Sequence, residues 1–92
     1  MLERRIVVRV MEVARSLGWL AYKQHGGAFT VAGLPDLLLI KNGRATWIEV
    51  KRPGESPTTI QKLRIRQLTA AGCAVAVVTS ASEARVFLES VL

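Results

Sequence analysis

Two apolar runs joined by an Asn-Gly pair, DLLLI-KNGR-ATWIEVK over residues 36–51, constrain the fold of this chain more than any other feature. Asn42-Gly43 is the dipeptide that two-residue type I′ turns favour, because both central residues of that turn have a positive φ. The flanking runs have the branched and aromatic residues of strands. Counting outward from the turn predicts these cross-strand pairs: Lys41 with Arg44, Ile40 with Ala45, Leu37 with Ile48, and Asp36 with Glu49. An antiparallel hairpin is therefore predicted, and its register places two acids opposite each other.

A helix and a strand are predicted before the hairpin. Residues 3–17 carry apolar side chains at helical spacing, and Gly18 ends that helix. WLAYKQ, residues 19–24, has the composition of a short strand. HGGAFTVAG, residues 25–33, is a glycine-rich loop that leads into the hairpin.

A second helix is predicted after the two prolines of RPGESPTT. It extends from about Pro57 to Ala71, with Ser56 or Thr58 as its cap and Gly72 at its end. Its apolar residues are expected to face inward: Ile60, Leu63 and Leu68.

A strand and a third helix complete the chain. CAVAVVTS, residues 73–80, is a continuous apolar run typical of a strand buried on both faces. Ser80 and Glu83 form an S-x-x-E capping box for a final helix through Leu92. The order α-β-β-β-α-β-α predicts a mixed sheet flanked by helices, in one α/β domain (α+β by stricter definitions) over residues 1–92.

The composition is that of a basic, globular protein. Hydrophobic residues make up 50% of the chain and charged residues 22%, which is typical of a folded domain. Thirteen Lys and Arg against seven acids give a net charge of +6, so nucleic acid is the expected partner. No apolar run approaches the roughly 20 residues of a membrane helix, and MLERR does not begin a signal peptide. We expect a cytoplasmic protein without a membrane partner, in the host cytoplasm if it is viral.

The charges of the hairpin collect at one end. Side chains alternate along a strand, so Trp47, Glu49 and Lys51 share one face. Asp36 lies opposite Glu49 at about 5 Å between Cβ atoms, and two facing carboxylates repel unless a cation lies between them. Mg²⁺ binds one or two carboxylates and takes phosphate oxygens from a substrate. Lys51 beside it can orient or deprotonate an attacking water, so the pattern indicates metal-assisted hydrolysis of a phosphodiester.

A purely structural interpretation of the same residues is a salt bridge at the rim of the hairpin, from Asp36 or Glu49 to Lys51. Such pairs are common and contribute little stability. The net charge of +6 and the neighbouring glycine-rich loop favour the hydrolytic interpretation.

These residues also carry a resemblance to a known family. Gly33-Leu34-Pro35-Asp36 followed by Ile48-Glu49-Val50-Lys51 resembles the signature of the PD-(D/E)XK nuclease superfamily, here PD-x12-EVK. The wider pattern is similar to its VRR-NUC family, the small virus-type replication-repair nucleases. The matching pieces are an early Glu in the first helix, then GWLAYK, GLPD, WIEVKRPG and SPTTIQ.

The resemblance implies a restriction-endonuclease-like fold and cleavage of DNA with Mg²⁺, for which Mn²⁺ substitutes. It implies that Asp36 and Glu49 bind the metal, with the backbone carbonyl of Val50 as a further ligand. Lys51 would be the catalytic lysine, and Gln61 would be the family's glutamine near the site. Gln61 is otherwise an ordinary exposed residue of the second helix.

The family also places a glutamate of the first helix at the site, and this sequence offers Glu3 and Glu12. At about 100° per residue, most of the apolar stripe of the helix falls within about 40° of Glu3, whereas Glu12 lies about 180° away. Glu3 is therefore predicted as the site residue and metal ligand. The attraction of acids to a helix N-terminus is the alternative explanation of its position.

Three further residues are candidates for contact with nucleic acid. Lys23 matches the family's lysine after the aromatic residue, and either contacts phosphate or is simply solvated. Arg52 directly follows Lys51 and is a candidate phosphate contact. His25 can donate a hydrogen bond to DNA, although a solvated surface histidine is the simpler explanation. With no second His and no Cys near it, a zinc site is not expected.

The predicted function is a metal-dependent endodeoxyribonuclease selective for branched DNA such as Holliday junctions. A C2 homodimer would present two sites to two strands, as symmetric resolution requires. A nuclease that nicks flaps or ordinary duplex is the first alternative. A non-catalytic DNA-binding module predicts the loss of Asp36, Glu49 or Lys51, and all three are present. An interaction domain without nucleic acid conflicts with the net charge of +6.

Overall fold

A computed structural model describes residues 2–26 and 30–92 of the chain. Its elements follow the predicted order: α1 (Glu3–Ser16), β1 (Leu20–Lys23), β2 (Leu37–Lys41), β3 (Arg44–Val50), α2 (Thr59–Ala70), β4 (Ala74–Val78) and α3 (Ala81–Ser90). The strands form one sheet in the order β1-β2-β3-β4, with β3 and β4 parallel and the other neighbours antiparallel. The predicted fold class and element order are confirmed. Met1 and residues 27–29 of the glycine-rich loop lie outside the described residues.

The hairpin has the predicted turn and register. Asn42 and Gly43 have φ angles of 52° and 75°. The observed ladder includes the predicted pairs Lys41–Arg44, Ile40–Ala45 and Leu37–Ile48. Because the ladder ends at Leu37, Asp36 lies immediately before β2, at the end of the sheet.

One face of the sheet holds the core. α1 and α3 pack against each other and against this face. The side chains that β2 and β3 direct toward the helices are fully buried: Leu37, Leu39, Ile48 and Val50. Burying one such side chain contributes about 1.5–3 kcal/mol. Because side chains alternate along a strand, Glu49 points to the opposite face.

The opposite face is only partly covered. α2 packs against β4, but its apolar residues are not buried as predicted: Ile60 and Leu63 are 40% and 36% exposed, and Leu68 is half-buried. β4 is an edge strand, so the expected burial on both faces is also wrong: Val77 is 41% exposed and only Val78 of this strand is buried. A short helix over a sheet edge has no outer layer against which to bury these residues. Within the described ranges, no helix has the length and apolar content needed to cross a bilayer.

Side-chain caps set the starts of α2 and α3. Thr58, one of the two predicted caps, accepts a hydrogen bond from the Gln61 N–H at 3.3 Å, and its own N–H donates to Gln61 Oε1 at 2.8 Å. Ser80 caps α3 as predicted and accepts from the Glu83 N–H at 3.1 Å. The return bond differs from the prediction, because the Glu83 carboxylate accepts from the N–H and hydroxyl of Thr79.

Candidate active site

Asp36 is held at the end of the sheet by three hydrogen bonds. Its N–H donates to Glu49 Oε1 at 3.1 Å, and its carbonyl oxygen accepts from the Gln24 N–H at 2.8 Å. Its carboxylate Oδ2 accepts from the Val50 N–H, also at 2.8 Å. These bonds hold the Asp36 carboxylate beside Glu49, where the hairpin register places it.

Glu49 and Lys51 lie on the same side of β3. Glu49 is 1% exposed and Lys51 is 8% exposed, and Lys51 Nζ is 3.4 Å from Glu49 Oε2. The Lys51 N–H donates to the Val78 carbonyl at 2.9 Å, so β4 fixes the backbone of the lysine just beyond the end of β3. Two carboxylates and an ammonium group thus converge at one end of the sheet, which is the arrangement that the sequence predicts.

The environment of Glu49 raises its pKa from 4.5 to about 7. Burial is the largest cause, because it removes water from the charged form. The negative charge of the neighbouring Asp36 raises the pKa further, while the positive charge of Lys51 lowers it. Without a cation, Glu49 therefore keeps a proton up to about neutral pH.

The residues present fit a divalent cation. Glu49 Oε2 is buried and accepts no hydrogen bond within the described part of the chain. The 3.4 Å separation from Lys51 Nζ is long for a charge-assisted hydrogen bond, so this contact is an ion pair only. A buried carboxylate oxygen without a partner is unfavourable. Mg²⁺ prefers oxygen ligands and binds proteins through one or two carboxylates, so Asp36 and Glu49 would hold it.

Within the described residues, the structure does not bring a third His, Cys, Asp or Glu side chain to this pair. No group of three or more His, Cys, Asp and Glu side chains that could hold a metal occurs within residues 2–26 and 30–92. Glu3 begins α1 and is half-buried, whereas Glu12 is exposed, in keeping with the helical stripe. α1 packs on the face of the sheet opposite to Glu49. The roles of Glu3 and of the Val50 carbonyl as ligands stay predictions.

Gln61 has a structural task that the sequence interpretation missed. It is half-buried, and its side chain completes the capping box of α2 with Thr58. The T-x-x-Q spacing is a capping-box signature, so the sequence does carry the signal. The amide NH₂ group takes no part in the box, and its contact with a substrate stays a prediction.

A cleft of about 310 Å³ opens beside Asp36. The residues that follow β1 form one wall of the cleft: Gln24, His25 and Gly26. Residues 30–34, which include the second half of the glycine-rich loop, form the other wall. His25 is exposed in this cleft, and its contact with nucleic acid stays a prediction. The cleft is a concave surface lined by one of the two acids, Asp36.

The other two predicted phosphate contacts flank the site. Lys23 is exposed at the end of β1, directly before the cleft. Arg52 is exposed beyond Lys51 and forms an ion pair and a hydrogen bond with Glu55. The ion pair with Glu55 uses Nε and Nη2 of Arg52, and contact of its remaining N–H groups with phosphate stays a prediction.

The glycine-rich wall of the cleft is anchored to α2 by contacts between residues distant in sequence. Arg64 Nε donates to the Ala32 carbonyl at 2.8 Å. Gly33 has a φ of +83°, and a Cβ at this position would lie 2.8–2.9 Å from Ile60, including its backbone. Only glycine fits there, because a side chain meets both an unfavourable φ and a fixed backbone.

Gly33→Ala is expected to lower the free energy of unfolding by about 3 kcal/mol, from roughly 1 kcal/mol for the positive φ and the rest for the clash with Ile60. Urea unfolding measures it. Gly54→Ala is the matched control, since Gly54 has a φ of +87° and a Cβ added there would meet nothing within 4 Å. The Gly54→Ala substitution should lower the free energy of unfolding by about 1 kcal/mol. Equal costs for the two variants would contradict the contact between the loop and α2.

The fold and the site together define a class of protein. A mixed sheet flanked by helices carries an acid before one strand, and an acid and a lysine at the end of the next, which is the arrangement of PD-(D/E)XK nucleases. The family model of the VRR-NUC domain matches residues 6–82. The chain belongs to the VRR-NUC family, and it is a nuclease-type, DNA-processing domain.

Solved structures share this fold. A chain described as a VRR-NUC domain is 26% identical, with a TM-score of 0.83 over 98% of this chain and 97% of that one. A chain described as a VRR-NUC domain protein is 22% identical, with a TM-score of 0.81 over 97% of this chain and 86% of that one. Comparison with curated proteins gives no match.

Proposed function

We propose that this domain is a Mg²⁺-dependent endodeoxyribonuclease that hydrolyses phosphodiester bonds in branched DNA such as Holliday junctions. The observation that supports it most is the buried Glu49 Oε2, which accepts no hydrogen bond from the described residues and lies 3.4 Å from Lys51 Nζ. The net charge of +6 suits a DNA partner.

Each residue of the site has a separate role in the proposed hydrolysis. Asp36 and Glu49 would hold the cation, which when bound lowers the pKa of a water ligand and offsets phosphate charge. The N–H groups of Asp36 and Val50 fix the two carboxylates, so the site needs little reorganisation when a substrate enters. Lys51 orients the attacking water and stabilises the negative charge that develops on the phosphate oxygens.

Incubation of the purified protein with labelled four-way junction, flap and linear duplex DNA tests this function. We expect cleavage with Mg²⁺ or Mn²⁺, fastest on the junction, and none with EDTA. Equal or faster cleavage of flap or linear duplex would contradict junction selectivity and favour the nicking alternative. Absence of cleavage of all three substrates with both metals would contradict the nuclease function and leave a DNA-binding module.

A homodimer is part of this proposal, because symmetric cutting of a junction needs two sites. The sheet face that α2 leaves uncovered offers an apolar surface for it. Leu20 and Tyr22 are 57% and 53% exposed, and their cross-strand partners Ile40 and Leu38 are half-buried. These four residues form the β1–β2 patch. Contiguous exposed apolar area of this kind is typical of interaction surfaces.

Leu20→Asp is expected to convert the dimer into a monomer, because it places a charge in the centre of the apolar contact. Light scattering on the wild type should give twice the chain mass of 10.1 kDa, and on the variant the chain mass itself. Val86→Asp is the control, since Val86 is 70% exposed on α3, away from the patch, and this variant should remain dimeric. A monomeric wild type at micromolar concentration would contradict the dimer.

A further inference from the structure

The N-terminal half of α1 carries exposed cations beside a groove. Arg4, Arg5 and Arg9 line this groove of about 910 Å³ together with Lys23 at the end of β1. We call these four residues the cation row. Among the described residues the ion pairs are Lys51–Glu49 and Arg52–Glu55, and neither includes a residue of the cation row. The side chains of the row also form no hydrogen bond with another described residue. The row is therefore available to an anionic partner.

The cation row lies at the same end of the sheet as the candidate active site. Lys23 pairs with Leu37, which directly follows Asp36. The next residue, Gln24, donates its N–H to the Asp36 carbonyl at 2.8 Å. One end of the row is thus joined through the backbone to a residue of the site.

Arg9 brings the row close to the end of β3, the strand that carries Glu49. It borders a second hollow of about 310 Å³ with Pro53, in the loop that follows Lys51. Arg5 lies one helical turn before Arg9, about 6 Å along the axis. The row therefore flanks the site from the end of β1 to the loop after β3, although α1 itself covers the opposite face of the sheet. A DNA duplex that lies across this end of the sheet would contact both the cation row and the candidate active site.

We propose, resting on the function proposed above, that the cation row binds the phosphates of the duplex arm next to the scissile bond and positions it across the site. Guanidinium groups bind phosphate through paired hydrogen bonds, and cations without acidic partners keep those donors free. Glu12 lines the same groove and opposes this attraction locally. Such contacts supply affinity and orientation without reading the base sequence.

Arg5→Gln/Arg9→Gln tests the row by binding of labelled duplex in EDTA, where no cleavage occurs. We expect the Kd at about 0.1 M salt to rise about tenfold, and the slope of log Kobs against log salt to fall in magnitude by about two. Arg5→Lys/Arg9→Lys keeps both charges and should retain the wild-type slope. Arg66→Gln/Arg85→Gln removes the same charge from exposed positions of α2 and α3 and should change the slope little.

If Arg5→Gln/Arg9→Gln and Arg66→Gln/Arg85→Gln lose the same amount of DNA affinity, the proposal is overturned, because the change in net charge alone would then explain the loss. Wild-type DNA affinity in Arg5→Gln/Arg9→Gln would also overturn it and point to an acidic protein as the partner of the row. Circular dichroism verifies that each variant is folded. A wild type that binds duplex through Arg5 and Arg9 but cuts no DNA would refute the proposed nuclease function and support the phosphate-binding surface.

Discussion

Lys51→Ala is expected to slow DNA cleavage by at least about 10³-fold while DNA binding in EDTA stays close to that of the wild type. In the proposed mechanism, the lysine places a positive charge and an exchangeable proton beside the reacting phosphate. It is 8% exposed and 3.4 Å from Glu49 Oε2, so this charge is held in place where water is largely excluded. Both carboxylates remain in the variant, so the lost rate reports the contribution of the lysine at a pH where Glu49 is ionised in both proteins.

The pH of this experiment matters because Lys51 lowers the pKa of Glu49. Its removal raises that pKa further, so near pH 7 protonation of Glu49 would by itself weaken cation binding in the variant. At about pH 9, well above the pKa of about 7 that Glu49 has in the wild type, this effect is smallest, and the difference between the two proteins reports mainly the lysine itself.

Two further variants separate the roles of Lys51. Lys62→Ala removes an exposed lysine of α2 that forms no ion pair with the residues described, and it should cleave at the wild-type rate. Lys51→Arg keeps the charge but cannot exchange a proton, because guanidinium stays protonated. An inactive Lys51→Arg assigns proton transfer to the lysine, and an active one assigns charge stabilisation. A Lys51→Ala protein that cuts as fast as the wild type at about pH 9 would contradict both roles.

Glu49→Gln is expected to abolish cleavage and at the same time to stabilise the metal-free protein above pH 7. Because folding raises the pKa of Glu49 from 4.5 to about 7, the folded state binds more protons than the unfolded chain between these values. The free energy of unfolding of the metal-free wild type therefore falls as pH rises through this range, by on the order of 3 kcal/mol. Below it the stabilisation is fully present, and above it the stabilisation is lost.

Glutamine has nearly the shape of protonated glutamate and does not titrate. The fall in the free energy of unfolding with rising pH should therefore be absent from the Glu49→Gln variant. Urea unfolding in EDTA at about pH 5 and about pH 8 measures the difference. Glu12→Gln, at an exposed position of α1, is the control and should follow the wild type. A Glu49→Gln protein less stable than the wild type at about pH 8 would show that the ion pair with Lys51 outweighs the cost of burying the charge.

The convergence of Asp36 and Glu49 was predictable because everything that determines it is local. The Asn42-Gly43 turn sets the register, and alternation along β3 then places Glu49 and Lys51 on one side. The same reasoning correctly predicts Ser80 as the cap of α3 and includes Thr58 among its two candidates for α2, although it missed the role of Gln61 and gave the wrong return bond for Glu83. Short-range patterns therefore predict both the fold and the centre of the site.

The wall of the cleft was not predictable in this way. No spacing rule relates Arg64 to Ala32 or Gly33 to Ile60, because these contacts depend on how α2 docks on the sheet. The exposure of α2 has the same origin, since a sequence pattern indicates an apolar side but not whether another layer covers it. For Glu3, the helical period gives the face of α1 but not its distance from Glu49.

Anomalous diffraction from crystals soaked in Mn²⁺ is the measurement that tests most directly whether Asp36 and Glu49 form a metal centre beside Lys51. We predict one strong peak in contact with both carboxylates, and its loss in crystals of Glu49→Gln. Absence of a peak at this pair in wild-type crystals, or a peak that persists there in Glu49→Gln, would contradict the metal centre and the hydrolytic chemistry assigned to it.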